Sequence, residues 1–151
     1  LCINPTDNTT SLFGSLTGAN TWVGGVLAPN GKIYCVPFGS TQVLCINPTD
    51  NTTSLFGSLT GANTWAGAVL APNGKIYCVP FNSTQVLCIN PTDNTTSLFG
   101  SLTGTNKWYG GVLAPNGKIY CVPRDSETIL TIGTTQIIDE NAVLSRYFNK
   151  F

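Results

Sequence analysis

Three tryptophans occupy one repeated position in the chain and are the first candidates for a ligand contact. Trp22, Trp65 and Trp108 each follow a stretch of small polar residues and precede an apolar run. A flat aromatic ring beside polar side chains can serve as a platform for sugars, whereas the simpler interpretation is that each ring packs between neighbouring sheets. Beside Trp108, Lys107 and Tyr109 replace the residues found in the other copies. We therefore take Trp22, Trp65, Lys107, Trp108 and Tyr109 as the predicted contact residues.

The acidic residues give no catalytic pattern. Asp7, Asp50 and Asp93 each follow Pro-Thr and are explained by turn formation. Paired catalytic carboxylates have to lie within about 5–10 Å of each other, whereas these aspartates are separated by a full repeat. Calcium takes about 6–8 oxygen ligands, and each turn offers one carboxylate. The chain contains no His, so a Ser-His-Asp or Cys-His arrangement is impossible. We predict no catalytic residue, no cofactor and no metal site, and a protein that is not an enzyme.

The cysteines follow the repeat, at positions 2, 35, 45, 78, 88 and 121. They form no CxxC pair, which disfavours a zinc site. Cys35 and Cys45 flank a turn, so a cross-strand disulfide stays open if their Cβ atoms approach closely. Against it, the position expected opposite Cys121 is Thr131. Buried free thiols that act as small apolar side chains are the preferred interpretation.

Composition restricts the class of partner. The 151 residues include seven Lys/Arg and seven Asp/Glu, and only 9% are charged, against about 25% in average proteins. This balance argues against nucleic acid and anionic membranes as partners. No apolar run approaches the roughly 20 residues that a membrane helix needs.

An internal repeat of 43 residues determines the predicted fold. The motif Leu-Cys-Ile-Asn-Pro-Thr-Asp begins at Leu1, Leu44 and Leu87. Residues 1–43 and 44–86 differ only at the pairs Val23/Ala66, Gly25/Ala68 and Gly39/Asn82. Such near-identity indicates recent duplication, and it requires each unit to pack against a copy of itself.

Each repeat is predicted to contain four short strands, which in the first full repeat span 24–29, 32–37, 42–47 and 52–59. Asn30-Gly31 predicts a type I′ hairpin turn with two positive-φ residues, and 48–51 forms another turn. The segments Ile33-Tyr-Cys-Val and Val43-Leu-Cys-Ile are apolar on both sides, which is typical of a sheet covered on both faces. Four-stranded sheets repeated at this spacing are blades of a β-propeller. A β-solenoid is the alternative.

The chain is therefore predicted to be one all-β domain over 1–151, a β-propeller with about three and a half blades. The predicted parts are a half-blade at 1–17, blades at 22–60 and 65–103, a shortened blade at 108–139, and a closing strand or tail at 141–151. A terminal helix is the alternative for that tail. Propellers contain about four to eight blades. Blades of a longer protein, a second copy of the chain, or the tail joined to residues 1–16 would complete the ring.

The blade sequence resembles a known group of propellers. Ala28-Pro-Asn-Gly-Lys-Ile-Tyr34, followed by Val43-Leu-Cys-Ile-Asn-Pro48, resembles the pattern P-D-G-x-I-Y … V-x-x-I-D-P of NHL-like and YVTN-like blades. The resemblance covers residues 1 to about 132. It implies the propeller fold and leaves function open, because such folds include receptors, scaffolds and enzymes.

The predicted function is that of a non-enzymatic binding or scaffold module, which contacts a protein or glycan partner through loops on one face. One alternative is a lectin-like propeller that binds carbohydrate through the repeated tryptophans. Another is a C-terminal fragment of a larger propeller enzyme.

Overall fold

The protein is all-β in the computed structural model, which describes residues 1–19, 21–61 and 63–133. These ranges contain only strands, turns and loops, and they include no helix that could cross a membrane. The predicted closing strand or tail at 141–151 lies outside the described residues, as does the end of the shortened blade after residue 133.

The strands form four antiparallel sheets, which correspond to the predicted half-blade and three blades. The half-blade consists of β1 (Cys2–Asn4) and β2 (Thr9–Ser11). Blade 1 consists of β3 (Trp22–Leu27), β4 (Ile33–Pro37), β5 (Val43–Asn47) and β6 (Thr52–Phe56), the last of which was predicted to reach Leu59. Blade 2 consists of β7 (Trp65–Leu70), β8 (Ile76–Pro80), β9 (Val86–Asn90) and β10 (Thr95–Phe99). The described part of blade 3 consists of β11 (Trp108–Leu113), β12 (Lys118–Pro123) and β13 (Leu130–Gly133).

The hairpin turn between the first two strands of a blade differs from the predicted type I′ turn. Gly31 has a φ of 76°, but Asn30 is not among the residues with positive φ. The Gly31 N–H donates to Ala28 O at 3.0 Å, and the Ala28 N–H donates to Lys32 O at 2.9 Å. The prediction of two positive-φ residues is therefore wrong. Pro29 fixes a negative φ at the first loop position, so the chain forms a three-residue loop in which only the last residue is left-handed.

The first strand of each blade begins two residues earlier than predicted, at the tryptophan. In blade 1 the pairing of β3 with β4 shifts between Trp22 and Gly25, and Gly24 in this bulge has a φ of 73°. The equivalent glycine of blade 2, Gly67, lies against the next blade, because a Cβ added there would come within 2.7 Å of Gly110 Cα. Glycine is required at this position by its φ and by the close approach of the innermost strands.

The pairing register gives each blade two apolar faces. In blade 1 Tyr34 pairs with both Val26 and Cys45, so these three side chains share one face. They pack with Ile76 and Leu87 of blade 2 in a buried cluster. A second cluster joins blade 2 to blade 3 through Tyr77, Val79, Val86, Ile119 and Cys121. Strand β8 is consequently buried at all five positions, as its unbroken apolar sequence predicted.

A small polar network also connects blades 1 and 2, at the end of the blades that carries the Asn-Gly turns, here called the hairpin end. The Tyr34 hydroxyl donates to Asn94 Oδ1 at 2.7 Å. The Asn30 side-chain amide donates to Pro91 O at 2.9 Å and to the Tyr34 hydroxyl oxygen at 3.0 Å. Since Tyr34 is buried, water cannot easily replace these partners. The network therefore fixes how one blade sits on the next.

We expect Tyr34→Phe to lower the free energy of unfolding by about 1 kcal/mol, because it removes the hydrogen bond that a buried hydroxyl donates to the neighbouring blade. Urea unfolding followed by tryptophan fluorescence measures the change. Tyr109→Phe is the control, since Tyr109 is 50% exposed, and its effect should stay below about 0.5 kcal/mol. Equal losses in the two variants would contradict the role given to the Tyr34 hydroxyl.

Candidate functional site

The loops opposite the hairpin end bring the predicted contact residues to one end of the blades. Strand β3 starts there at Trp22, β4 ends there and β5 begins there, because successive strands run antiparallel. The loop at 38–42, and residues 57–61 and 63–64 after β6, therefore lie at the same end. We call it the tryptophan end, after Trp22, Trp65 and Trp108.

Each tryptophan ties the first strand of its blade to the start of the third. The indole N–H of Trp22 donates to Gln42 O at 2.9 Å, and that of Trp65 donates to Gln85 O at 2.9 Å. In blade 3 the indole N–H of Trp108 donates to Thr128 O at 2.7 Å. All three bonds span 20 residues of sequence. The repeated tryptophan therefore links the first strand of its blade to the start of the third strand through a hydrogen bond.

The burial of these rings bears on the idea of sugar platforms. Trp65 and Trp108 are buried, and Trp22 is half-buried. A platform for a sugar has to present a ring face to solvent. The packing of Trp65 and Trp108 therefore favours the interpretation in which these rings fill space between sheets.

One backbone carbonyl shapes the loop at the tryptophan end of each full blade. In blade 2 the Thr64 carbonyl accepts the N–H groups of Phe81, Asn82 and Ser83 at 2.9, 3.1 and 3.1 Å. The Thr64 hydroxyl reaches the preceding blade and donates to Pro37 O at 3.1 Å. The same residue therefore fixes the loop of its own blade and the contact between blades.

Lys107 replaces this threonine in blade 3 and is buried. Its ammonium donates to Ser83 O at 2.9 Å and to Gly104 O at 2.8 Å, and it lies 6.0 Å from the centre of the Trp108 ring. Among the described residues no carboxylate pairs with it. Burial lowers the pKa of Lys107. Lys107 was predicted as a contact residue, but the structure places it as a link between blades 2 and 3.

Tyr109 is the predicted contact residue that stands most open to solvent, and it belongs to a small exposed patch. Its ring meets Phe81 edge to face, with centroids 6.1 Å apart. The Arg124 guanidinium lies 5.1 Å from the centre of the same Phe81 ring, and Phe38 adjoins Phe81 at 5.8 Å. Tyr109 and Arg124 are both about half exposed, while Phe81 beneath them is buried. We call Tyr109 and Arg124, with the supporting Phe81, the Tyr109–Arg124 patch.

Of the residues in this patch, only Tyr109 is among the predicted contact residues. Tyr109 was identified because it replaces Ala66 of the previous copy. Arg124 replaces Phe38 and Phe81 at a second repeat position, but Tyr109 lies on β11 and Arg124 lies in the loop after β12. Tyr109 and Arg124 contact the same Phe81 ring only in the folded chain. Phe81 and Arg124 are therefore absent from the predicted contact residues.

The cysteines do not form the cross-strand pairs left open by the sequence. Cys35 pairs with Leu44, and Cys45 pairs with Tyr34, so the two thiols point to opposite faces of the sheet. Residue Cys121 lies opposite Leu130, not opposite Thr131 as expected. All six cysteines are free. Burial raises the pKa of Cys78 and raises that of Cys121 to about 12, which keeps both as neutral thiols.

The acidic turns at the hairpin end are structural, as predicted. Asp50 Oδ1 accepts the backbone N–H of Thr52 at 3.0 Å and its hydroxyl at 2.7 Å, and the same bonds recur at Asp7 and Asp93. These hydrogen bonds hold the pKa of the three carboxyl groups below the usual value. Within the described ranges no group of three His, Cys, Asp or Glu could hold a metal ion.

The described part of the chain has concavities of modest size at both ends of the blades. One of about 290 Å³ adjoins Trp65 at the tryptophan end and is lined by Thr60, Gly61, Thr64 and the 82–85 loop. The other, of about 420 Å³, lies at the hairpin end beside Asn30, Gly74 and Pro91. Neither contains a cluster of ionisable side chains.

Comparison with known proteins finds similarity in structure alone. No family model matches the chain, and no curated protein matches it. A catalytically inactive virginiamycin B lyase from Staphylococcus aureus superposes with a TM-score of 0.67 at 13% identity, over 90% of this chain and 48% of that one. An extracellular domain of a putative hybrid two component system from B. thetaiotaomicron gives 0.67 at 17% identity, over 89% and 18%. An auxiliary nutrient binding protein from Bacteroides ovatus gives 0.61 at 15% identity, over 80% and 30%.

The fold is that of an open β-propeller. Repeated four-stranded antiparallel sheets and propeller-like structural neighbours agree on this class, and the described blades do not close a ring. The chain spans about half the length of the lyase and less of the other two proteins. Since no family model matches, the finer resemblance to NHL-like and YVTN-like blades stays a prediction.

We expect stability to fall as the pH rises from about 8.5, the ordinary thiol pKa, towards 12, where Cys121 titrates in the folded protein. In this window the unfolded chain releases thiol protons that the folded chain retains, so each buried thiol steepens the loss by up to about 1.4 kcal/mol per pH unit. Urea unfolding between pH 8 and 11 measures the slope. Cys121→Ala should make it shallower, and Cys2→Ala, at an exposed position, should leave it unchanged. An unchanged slope in Cys121→Ala would show that this thiol does not contribute.

Proposed function

We propose that the protein is a non-enzymatic binding module whose partner contacts the Tyr109–Arg124 patch at the tryptophan end. The observation that carries this proposal is that an exposed tyrosine and an exposed arginine both contact one buried ring, that of Phe81. Tyrosine and arginine are enriched among the residues that dominate binding energy at protein interfaces. A protein or peptide partner therefore fits the patch best.

The scaffold beneath the patch supports this role because it holds the backbone of both residues, while contact with Phe81 restricts their side chains. Tyr109 belongs to strand β11, and the Arg124 N–H donates to Lys107 O at 2.9 Å. Lys107 in turn is held by Ser83 and Gly104. Side chains that are ordered before binding lose less conformational entropy when a partner arrives.

The chemistry of the patch favours a partner that offers a carboxylate beside an apolar group. Arg124 Nε lies 3.8 Å from Asp125 Oδ1, at an exposed pair that contributes little energy. The guanidinium can therefore exchange this contact for a partner's carboxylate in a bidentate arrangement. The Tyr109 ring beside it supplies the apolar surface.

The two alternatives have less support from the site. The lectin-like alternative relied on exposed tryptophans, but Trp65 and Trp108 are buried. The alternative of a C-terminal fragment of a larger propeller enzyme needs catalytic residues from further blades, since these 151 residues contain no histidine and the thiols with raised pKa are poor nucleophiles. Structural neighbours include both a lyase and a nutrient binding protein, so the fold itself is compatible with either role.

The test is selection of a phage-displayed random peptide library on the wild-type protein, followed by calorimetry with the most enriched peptide. Tyr109→Ala and Arg124→Phe restore the residues of blade 2 at the same positions, Ala66 and Phe81, so both variants should fold normally. We expect each to raise the dissociation constant by about tenfold or more.

The matched control is Lys118→Ala, which removes an exposed positive charge at the hairpin end and should leave binding unchanged. Selection that yields no enriched peptide would contradict the proposal. So would a peptide bound equally by wild type and both patch variants. Binding on a glycan array that survives in both patch variants would favour the lectin-like alternative instead.

A further inference from the structure

Blade 3 carries an exposed apolar face that repeats the buried faces of blades 1 and 2. Val36 and Val43 of blade 1 are 1% and 0% exposed, whereas their equivalents Val122 and Ile129 are 51% and 63% exposed. Val112 and Tyr120 pair on the same face of blade 3, as Val26 and Tyr34 do in blade 1. We call this surface, made of Val112, Tyr120, Val122 and Ile129, the blade 3 face.

The half-blade at the other end of the described arc carries the complementary surface. In blade 2, Leu87 and Ile89 are fully buried in the cluster that also contains Tyr34 of blade 1. Their repeat equivalents are Leu1 and Ile3, which are 77% and 61% exposed. In the half-blade, Leu1 and Ile3 therefore form an exposed apolar surface equivalent to the one that packs against blade 1 in blade 2.

The polar groups at the hairpin end match in the same way. Between blades 1 and 2, Asn30 and Tyr34 donate to Pro91 O and Asn94 Oδ1. Blade 3 repeats the donor pair, because Asn116 Nδ2 donates to the Tyr120 hydroxyl oxygen at 2.9 Å. The half-blade repeats the acceptors at exposed positions, as Pro5 and Asn8. The side chains of Val112, Tyr120, Val122 and Ile129, and those of Ile3, Pro5 and Asn8, carry no charge.

We propose that the blade 3 face of one copy docks head to tail on the half-blade of a second copy. The contact reproduces the part of the interface between blades 1 and 2 to which Leu87 and Ile89 belong. Such a contact joins different surfaces of the two copies, and it closes a ring when two copies each use both surfaces. The proposal is independent of the function assigned to the Tyr109–Arg124 patch.

Light scattering coupled to size-exclusion chromatography tests the proposal on the full chain, whose mass is 16.0 kDa. Wild type is expected at twice that mass. Val122→Asp and Ile3→Asp change residues that are exposed in the single chain, so folding survives. Each buries an unpaired charge in the proposed contact, which should raise the dissociation constant about a hundredfold or more. Leu98→Asp is the control, an exposed apolar residue of the middle blade, and should leave the mass unchanged.

Mixing the two variants distinguishes head-to-tail contact from face-to-face contact. In a mixture, the Ile3→Asp copy still has an intact blade 3 face and the Val122→Asp copy an intact half-blade, so native mass spectrometry should detect a mixed pair. A face-to-face contact between two blade 3 surfaces would leave Ile3→Asp fully paired by itself. That result, or a wild-type chain that stays a monomer throughout the micromolar range, would overturn the proposal.

Discussion

The fold depends on one constraint, that each sheet has two apolar faces and has to be covered by copies of its own sequence. The register that puts Tyr34 beside Val26 and Cys45 directs one set of side chains to the next blade. The alternate set, represented by Ile76 and Leu87 in blade 2, faces back. The strands carry few charged side chains, so neither face of the sheet is suited to contact with water. Stacking of the blades buries the apolar side chains of both faces. The Tyr34 hydroxyl network then selects one relative placement among many.

Much of this fold could be predicted because the sequence repeats a local pattern, apolar strand, tight turn, apolar strand, at a fixed spacing. The errors arose where a second residue modified the pattern. Pro29 prevents a positive φ at the start of the loop, so Asn30-Gly31 does not form the expected turn. The loop at 38–42 sets the register of β4 and β5, in which Cys35 pairs with Leu44. This register differs by one residue from a pairing of Cys35 with Cys45, so the two thiols lie on opposite faces of the sheet. Such shifts are not visible in strand composition.

The candidate site was harder to predict because Tyr109 lies on a strand of blade 3, whereas Phe81 and Arg124 lie in loops of two different blades. The tryptophans stand out in the sequence as large aromatic residues. The partner of each indole N–H, however, is a backbone carbonyl 20 residues away, and a backbone carbonyl carries no sequence signal. Lys107 is buried through two backbone carbonyls, which are equally invisible in sequence. Tyr109 and Arg124 differ from the other copies of the repeat, and their meeting on Phe81 is a property of the packed blades.

The glycine contact between innermost strands also affects how such a chain can change length over evolution. Gly67 lies against the backbone of Gly110, since a Cβ added to Gly67 would come within 2.7 Å of Gly110 Cα. Around this contact, the joint between two blades is built from side chains that the 43-residue repeat copies, such as Tyr34 and its equivalent Tyr77. Gain or loss of a whole 43-residue unit would preserve every remaining joint, whereas insertion of a few residues would break one. Recombination between near-identical repeats would thus produce variants in steps of one blade.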